Sequence, residues 1–203
     1  MDRKVNIAVL VSGGGTNLQA IIDFEKAGKL LHGKIVKVIS NNANAYALTR
    51  ANDNGIESAV VIKKGRAQVD FERDLIVELE KVNAEIIVLA GFMCILSKDF
   101  TDRYAKRIIN VHPSLIPSFC GEGFYGLKVH EKALEYGVKV TGATVHFVNE
   151  IPDGGEIIMQ KAVSIKDDDT PEILQKRVMQ QAEWKILPAS LEKVCKKLLK
   201  GEL

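Results

Sequence analysis

Val5-Asn6-Ile7-Ala8-Val9-Leu10-Val11, followed without a break by Ser12-Gly13-Gly14-Gly15-Thr16-Asn17, decides the fold class of this chain. An apolar run rich in β-branched residues, with a single polar side chain in it, is the pattern of a strand covered on both faces, as in the interior of a parallel sheet. The glycines then impose a turn. Over Asn17–Lys26, Leu18, Ile21, Ile22 and, less regularly, Phe24 recur at the spacing of an amphipathic helix. Strand, glycine turn and helix in that order open an alternating α/β fold.

The alternation continues. Ile35–Ser40, Ala59–Ile62, Ile86–Ala90 and Arg107–Val111 read as further strands, with helical stretches at Ala45–Asn54, Val69–Val82 and Lys98–Tyr104 between them. This predicts a doubly wound, mostly parallel sheet. After Pro113 the pattern changes, because Ser114–Leu127 carries Pro117, Gly121, Gly123 and Gly126 and no periodicity, which predicts a long functional loop. A short helix is expected at Val129–Tyr136. Thr141–Val148 and Glu156–Ile165 are β-prone and joined by Pro152-Asp153-Gly154-Gly155, so they are expected to pair antiparallel and make the sheet mixed. Thr170 and Pro171 suit the cap and first position of a last helix, which Pro188 is expected to kink or split before the basic tail Leu191–Lys200. With no repeat and no linker, one domain over residues 1–203 is expected, a phosphate-binding half (1–105) and a second half (106–203).

The chain has 203 residues, 46% hydrophobic and 27% charged, enough to bury a substantial core. A net charge of +2, spread out and without interleaved aromatics, argues against nucleic acid as a partner. Cys94, Cys120 and Cys195 have no paired spacing, which argues against a disulfide framework or a structural zinc site and for a reducing cytoplasm. The start, Met1-Asp2-Arg3-Lys4, leads into a strand too short for a secretion signal or a membrane span, so no membrane association is expected.

Three motifs carry chemistry. Ser12–Asn17 lies between strand and helix, where bare amides and the positive helix end hold a phosphate; its bland reading is a tight turn. Leu18 stands where a dinucleotide fingerprint wants a third glycine, and Ser40-Asn41-Asn42 where it wants an acid, so NAD is disfavoured. Asn110 and His112 fall two apart at the carboxyl end of a strand that Pro113 must end, so an amide and an imidazole point the same way. Asp153-Gly154-Gly155 is a hairpin turn on its own; with the other two it supplies a carboxylate that is expected to raise the His112 pKa and favour the imidazolium. Such a set suits an oxyanion at an acyl carbon. His112, His130 and His146 lack the local spacing of zinc ligands, so no metal is expected, and His146 is read as a residue supporting the catalytic set. Ala90-Gly91-Phe92-Met93 is either a strand end packed on a helix or an apolar wall for a flat ring.

Together these residues resemble the phosphoribosylglycinamide formyltransferase family, over roughly Ile7–Leu191. The matches are Ser-Gly-Gly-Gly-Thr-Asn at 12–17, Ser-Asn-Asn at 40–42, Leu-Ala-Gly-Phe-Met at 89–93, Ile-Asn-Val-His-Pro-Ser-Leu-Ile-Pro at 109–117, Gly-Ala-Thr-Val-His-Phe-Val at 142–148 and Asp-Gly-Gly at 153–155. The resemblance implies a Rossmann-like formyltransferase fold and formyl transfer from 10-formyltetrahydrofolate, as co-substrate, to the amine of glycinamide ribonucleotide in purine synthesis. It places catalysis on Asn110 and His112, the latter as imidazolium, which stabilise the oxyanion, and on Asp153, which assists proton transfer, and the substrate's phosphate and ribose on Gly15, Thr16, Asn17 and Glu183. The folate pocket falls on Met93, Cys94, Ile95, Leu96, Asn110, Asn149, Glu150, Ile151, Pro152 and Asp153. The partners so implied are small molecules, acting on a monomer or homodimer. A 10-formyltetrahydrofolate hydrolase or another formyl transferase, and a non-catalytic sugar-phosphate-binding module, are the alternatives. The chain departs from the family at Cys94 and Lys128, where arginine and histidine are common, in a longer loop at 118–126, in one extra residue between Arg177 and Glu183, and in Trp184 where histidine is usual. The arginine expected near Ala67–Gln68 for the folate tail is displaced, with Lys63, Lys64 and Arg66 close by.

Overall fold

Seven strands form one sheet in the computed structural model, which describes residues 3–203. The expected alternation is present as β1 (Val5–Val11), α1 (Thr16–Lys26), β2 (Gly33–Ser40), α2 (Tyr46–Asp53), β3 (Ser58–Val60), α3 (Gln68–Lys81), β4 (Ile86–Leu89), α4 (Lys98–Arg103) and β5 (Ile108–His112). There follow α5 (Leu127–Tyr136), β6 (Val140–Phe147), β7 (Ile157–Ser164), α6 (Pro171–Val178), a π-helical turn (Met179–Glu183) and α7 (Trp184–Leu199). Met1 and Asp2, at the start of the segment read for a signal, lie outside the described residues. No helix among the described residues is long and apolar enough to cross a membrane.

The strand order is β3-β2-β1-β4-β5-β6-β7. β1 to β5 are parallel, and β6 runs against both β5 and β7, so the sheet is mixed through one strand. The chain leaves β1 towards β2 and later returns to the other side of β1 as β4. That reversal makes the carboxyl ends of β1 and β4 the switch point at which such sheets bind ligands.

Alternation along β1 explains the two layers of core. Val5, Ile7, Val9 and Val11 pack on one face with Leu18, Ile21 and Ile22 of α1 and Leu187, Leu191 and Val194 of α7. Ala8 and Leu10 face the other way, towards Phe71, Leu75 and Leu79 of α3 and Phe100 of α4. Thr170 caps α6 as expected, its Oγ1 accepting from the Ile173 amide at 3.3 Å. The Pro188 expectation is corrected: α7 runs through Pro188, and the irregularity lies upstream, in the π-helical turn. Proline at the fifth position of α7 forfeits only the bond to the helix's first carbonyl, on Trp184, so its cost is low there.

One charged side chain is embedded in this framework. Lys37 of β2 is 2% exposed, its Nζ lying 2.7 Å from Glu57 Oε1 and 2.6 Å from Glu78 Oε2. Glu57 stands largely in solvent, which screens its half of the arrangement, so the buried four-carbon stem carries much of the effect. Lys37→Ala is expected to cost about 2–3 kcal/mol, chiefly through lost packing, since Glu78 keeps Lys81 as a partner. Lys37→Met, which keeps the volume, is expected to cost under about 1 kcal/mol. Urea unfolding midpoints of the two variants check the difference, and equal losses would contradict it.

Candidate active site

The glycine loop leaves β1 at Ser12, and Gly15 enters α1 with φ of +71°, a left-handed conformation natural to glycine. A Cβ at Gly15 would lie 2.6 Å from the Ala47 Cβ, so α2 also excludes a side chain there. The amides of Gly13, Gly14 and Gly15 donate to no other described group, and together with the amino end of α1 they form a concentration of free donors. Arg50 of α2 adds a cation that motif reading missed. Its Nε donates to Gly14 O at 2.8 Å and its Nη1 to Gln19 Oε1 at 3.0 Å. From the far end of the chain, the π-helical turn brings Glu183 inward, where its Oε2 accepts from Asn17 Nδ2 at 2.8 Å. The extra residue between Arg177 and Glu183 coincides with this turn, the usual result of one insertion in a helix.

The loop after β4 is tied to the glycine loop, since Ser12 N donates to Gly91 O at 3.2 Å and Met93 N to Ser12 Oγ at 2.7 Å. Met93 (58% exposed) and Ile95 (72%) stand free, and Cys94 is half-buried, with Asn41 Nδ2 donating to its Sγ at 2.9 Å. Leu96 differs from the other three. Its side chain is buried with Phe71, Phe92 and Phe100, so it has only main-chain groups to offer a ligand. Asn149, Glu150, Ile151 and Pro152 lead into the turn at Asp153, with Asn149 Oδ1 accepting from the Ile151 amide and Ile151 exposed. Of the cations near Ala67–Gln68, Arg66 is engaged by Asp74 at 2.6 Å, and Lys63 Nζ donates to Arg66 O at 3.3 Å.

Asn110 and His112 occupy the end of β5 on one face, as the two-residue spacing requires. Opposite them on β6, in antiparallel register, stand His146 and Thr144. His146 Nδ1 donates to the Phe147 carbonyl at 2.8 Å, which leaves Nε2 to accept from Asn110 Nδ2 at 3.2 Å. The amide of Asn110 is thereby turned so that one N–H is used and the other remains. Thr144 Oγ1 donates to Ser114 O at 2.7 Å and accepts from Ile116 N at 3.1 Å, holding the chain as it leaves His112.

His112 is buried, and its Nε2 donates to Phe119 O at 2.8 Å. Its working nitrogen is therefore Nδ1, 3.4 Å from Asp153 Oδ2. Asp153 has a φ of +57°, a conformation aspartate tolerates better than most residues, and its Oδ2 accepts from the Gly121 amide at 2.9 Å while Oδ1 lies 3.6 Å from His146 Nε2. Two consequences follow for charge. Burial pushes the Asp153 carboxyl up, but His146, His112 and the Gly121 amide outweigh it and hold the group below the ordinary carboxylate value. Burial also takes His112 below the ordinary histidine value of 6.5, against the opposing pull of Asp153 and Phe119. The expectation of a raised His112 pKa is thus corrected, because desolvation of the ring exceeds the attraction of the carboxylate. His130, buried behind the site without a hydrogen-bond partner, falls to about 4 through burial and the proximity of His112.

The glycine loop and the Asn110–His112 pair lie at the carboxyl ends of β1 and β5, and Asp153 reaches His112 from the turn between β6 and β7. β1, β4 and β5 are adjacent, so the glycine loop and His112 stand about two strand spacings apart, roughly 10 Å. What sequence reading did not find are main-chain contacts, Phe119 O to His112 and Gly121 N to Asp153. Any residue carries those groups, and only the glycine at 121, with φ of +87°, hinted at a special turn.

A phosphate-type loop beside an imidazole, an amide and a carboxylate is the equipment of an acyl or formyl transferase acting on a phosphorylated substrate. Residues 5–191 match the family model described as formyl transferase, and the chain belongs to that family. Among its relatives, the phosphoribosylglycinamide formyltransferase of Haemophilus influenzae is 44% identical over 183 residues, covering 90% of this chain and 83% of that protein. The trifunctional purine biosynthetic protein adenosine-3 of Homo sapiens is 45% identical over 195 residues, 95% of this chain but only 18% of that protein. The chain thus spans less than a fifth of the length of those trifunctional relatives. The solved structure of glycinamide ribonucleotide transformylase 1 from Symbiobacterium toebii has a TM-score of 0.89 and 36% identity, covering 97% of this chain and 90% of that one.

Proposed function

We propose that the protein is a single-domain enzyme that transfers the formyl group of 10-formyltetrahydrofolate to the amine of N1-(5-phospho-D-ribosyl)glycinamide, giving the N-formyl product and tetrahydrofolate in purine biosynthesis. The observation that carries this reading is the row of three subsites on adjacent strand ends: free amides at the glycine loop, an apolar rim at Met93 and Ile95, and Asn110 with His112 and Asp153. In this reading Gly15, Thr16 and Asn17, with Arg50, hold the phosphate and Glu183 lies beside the ribose. Met93, Cys94, Ile95, Ile151 and the main chain of Leu96, with Asn149, Glu150 and Pro152, line the pterin side.

The chemistry follows from His112 resting neutral with Nδ1 bare. The substrate amine attacks the formyl carbon, and the carbonyl oxygen becomes an oxyanion that the remaining Asn110 N–H stabilises. The ammonium proton passes to His112 Nδ1, directly or through a water held by Asp153, and the imidazolium so formed is stabilised by the carboxylate. His112 then returns the proton to the departing nitrogen of the folate, and the tetrahedral intermediate collapses. The scheme calls for no metal ion.

This assignment makes a signed prediction for pH. Since burial lowers the His112 pKa and the neutral ring is the active form, the acid limb of kcat/KM belongs below 6.5, with activity lost as pH falls through it. Asp153 raises the His112 pKa, so Asp153→Asn is expected to move the limb to still lower pH as well as lowering kcat. A limb above 6.5, or one moved upward in Asp153→Asn, would contradict His112 as the base.

A further inference from the structure

Glu183 is 6% exposed, and its one hydrogen bond is the 2.8 Å contact from Asn17 Nδ2. The other end of that amide, Asn17 Oδ1, is buried without a partner. No described cation balances the carboxyl. On α6, Arg177 is taken by Asp169; on α2, Arg50 is taken by Gly14 and Gln19; on α1, Asp23 accepts from Gln19. Lys161 of β7 and Lys185 of α7 are exposed and make no bond to it, and His146 of β6 is engaged by Phe147 and Asn110.

A buried carboxylate without a cation is costly, and here it also leaves an amide oxygen empty. A carboxylic acid resolves both. Its carbonyl accepts the amide N–H, and its O–H donates to the amide oxygen. Turning the Asn17 amide round would place Oδ1 against the carboxyl, an arrangement that again requires a proton on Glu183. We propose that Glu183 is held as a carboxylic acid paired with Asn17, and that loss of this proton leaves the Asn17 amide oxygen without a donor beside the phosphate loop, which couples binding of the sugar-phosphate substrate to the protonation of Glu183. Ionisation also sets a negative charge one hydrogen bond from the loop that receives a phosphate. Burial, opposed by the Asn17 bond, takes the carboxyl from the ordinary 4.5 to about 7, so the coupling falls in the neutral range. The inference rests on the phosphate reading of Gly15–Asn17.

Glu183→Gln preserves the pair in an uncharged form that does not titrate, so the test is a comparison of pH profiles. Titrations of the substrate itself are common to both proteins and cancel in the ratio. Above pH 7 the KM of the wild type for glycinamide ribonucleotide is expected to rise relative to that of Glu183→Gln by about tenfold per pH unit, the limit for one required proton, with the ratio of kcat values flat. Parallel KM profiles would overturn the coupling. A second readout needs no substrate. Because folding favours the protonated form, the wild type is expected to lose thermal stability relative to Glu183→Gln as pH rises from about 4.5 through about 7, and parallel curves there would also overturn it. Failure of the underlying reading is seen separately: if the riboside lacking the phosphate has the same KM as the ribonucleotide, the loop is not a phosphate subsite.

Discussion

His112→Ala is expected to lower kcat by about 10²–10⁴-fold, the range lost with a positioned general acid–base group. The KM of both substrates should change far less, because the ring contacts the reacting atoms and neither the phosphate loop nor the pterin rim. The ring is buried, so His112→Asn, closer in volume, serves as a second variant, and far-UV circular dichroism with an unfolding curve establishes that each is folded. Turnover within a few-fold of the wild type in both folded variants would remove His112 from the mechanism. The scheme, in which His112 takes up the ammonium proton and returns it to the leaving nitrogen, would then fail.

Gly155→Ala is expected to lower kcat by about 10²-fold or more, although Gly155 touches no reacting atom. A Cβ at this position would lie 2.6 Å from the Phe147 carbonyl carbon and closer still to its oxygen, both backbone atoms of β6 that cannot yield as a side chain can. The turn must move away from the strand. Phe147 N donates to Glu156 O at 2.8 Å, so the start of the β6–β7 ladder moves with it, and Asp153 is carried off its positions against His112 and the Gly121 amide. Gly154→Ala is the contrast. Its Cβ meets Ile151 at Cγ2 (2.6 Å) and Cβ (2.7 Å), so the exposed turn residue Ile151 must shift, but β6 is not touched, and a milder loss is expected. Equal kinetics for the two variants would show that the position of Asp153 is not what the turn preserves.

These expectations also show which parts of the molecule could be read from its sequence. The run Val5–Val11 was legible because burial on both faces leaves a continuous apolar signature, and the order β1, glycine loop, α1 then constrained the neighbouring elements. Asn110 and His112 were legible together because a strand's two-residue period is strict and Pro113 marks its end. The protonation of His112 was misread, since a neighbouring carboxylate is visible in a motif and the depth of burial is not. Glu183 came only through resemblance. Its partner Asn17 is 166 positions away, and the π-helical turn that aims it left no trace but one surplus residue. The hold of Phe119 O and Gly121 N on His112 and Asp153 depends on the path of a long loop, which local pattern does not encode. Leu96, placed in the folate pocket by the resemblance, spends its side chain on the core with Phe71 and Phe100, a burial that the sequence pattern did not show.

The measurement that tests the central claim most directly follows the formyl donor spectrophotometrically with purified protein, with and without glycinamide ribonucleotide, while formate and the N-formyl product are quantified. The account predicts that the donor is consumed only when the amine substrate is present, with one N-formyl product per donor and no excess formate. Consumption without the amine, with formate in equal amount, would instead make the protein a hydrolase, and no consumption under either condition would leave the site without the chemistry assigned to it.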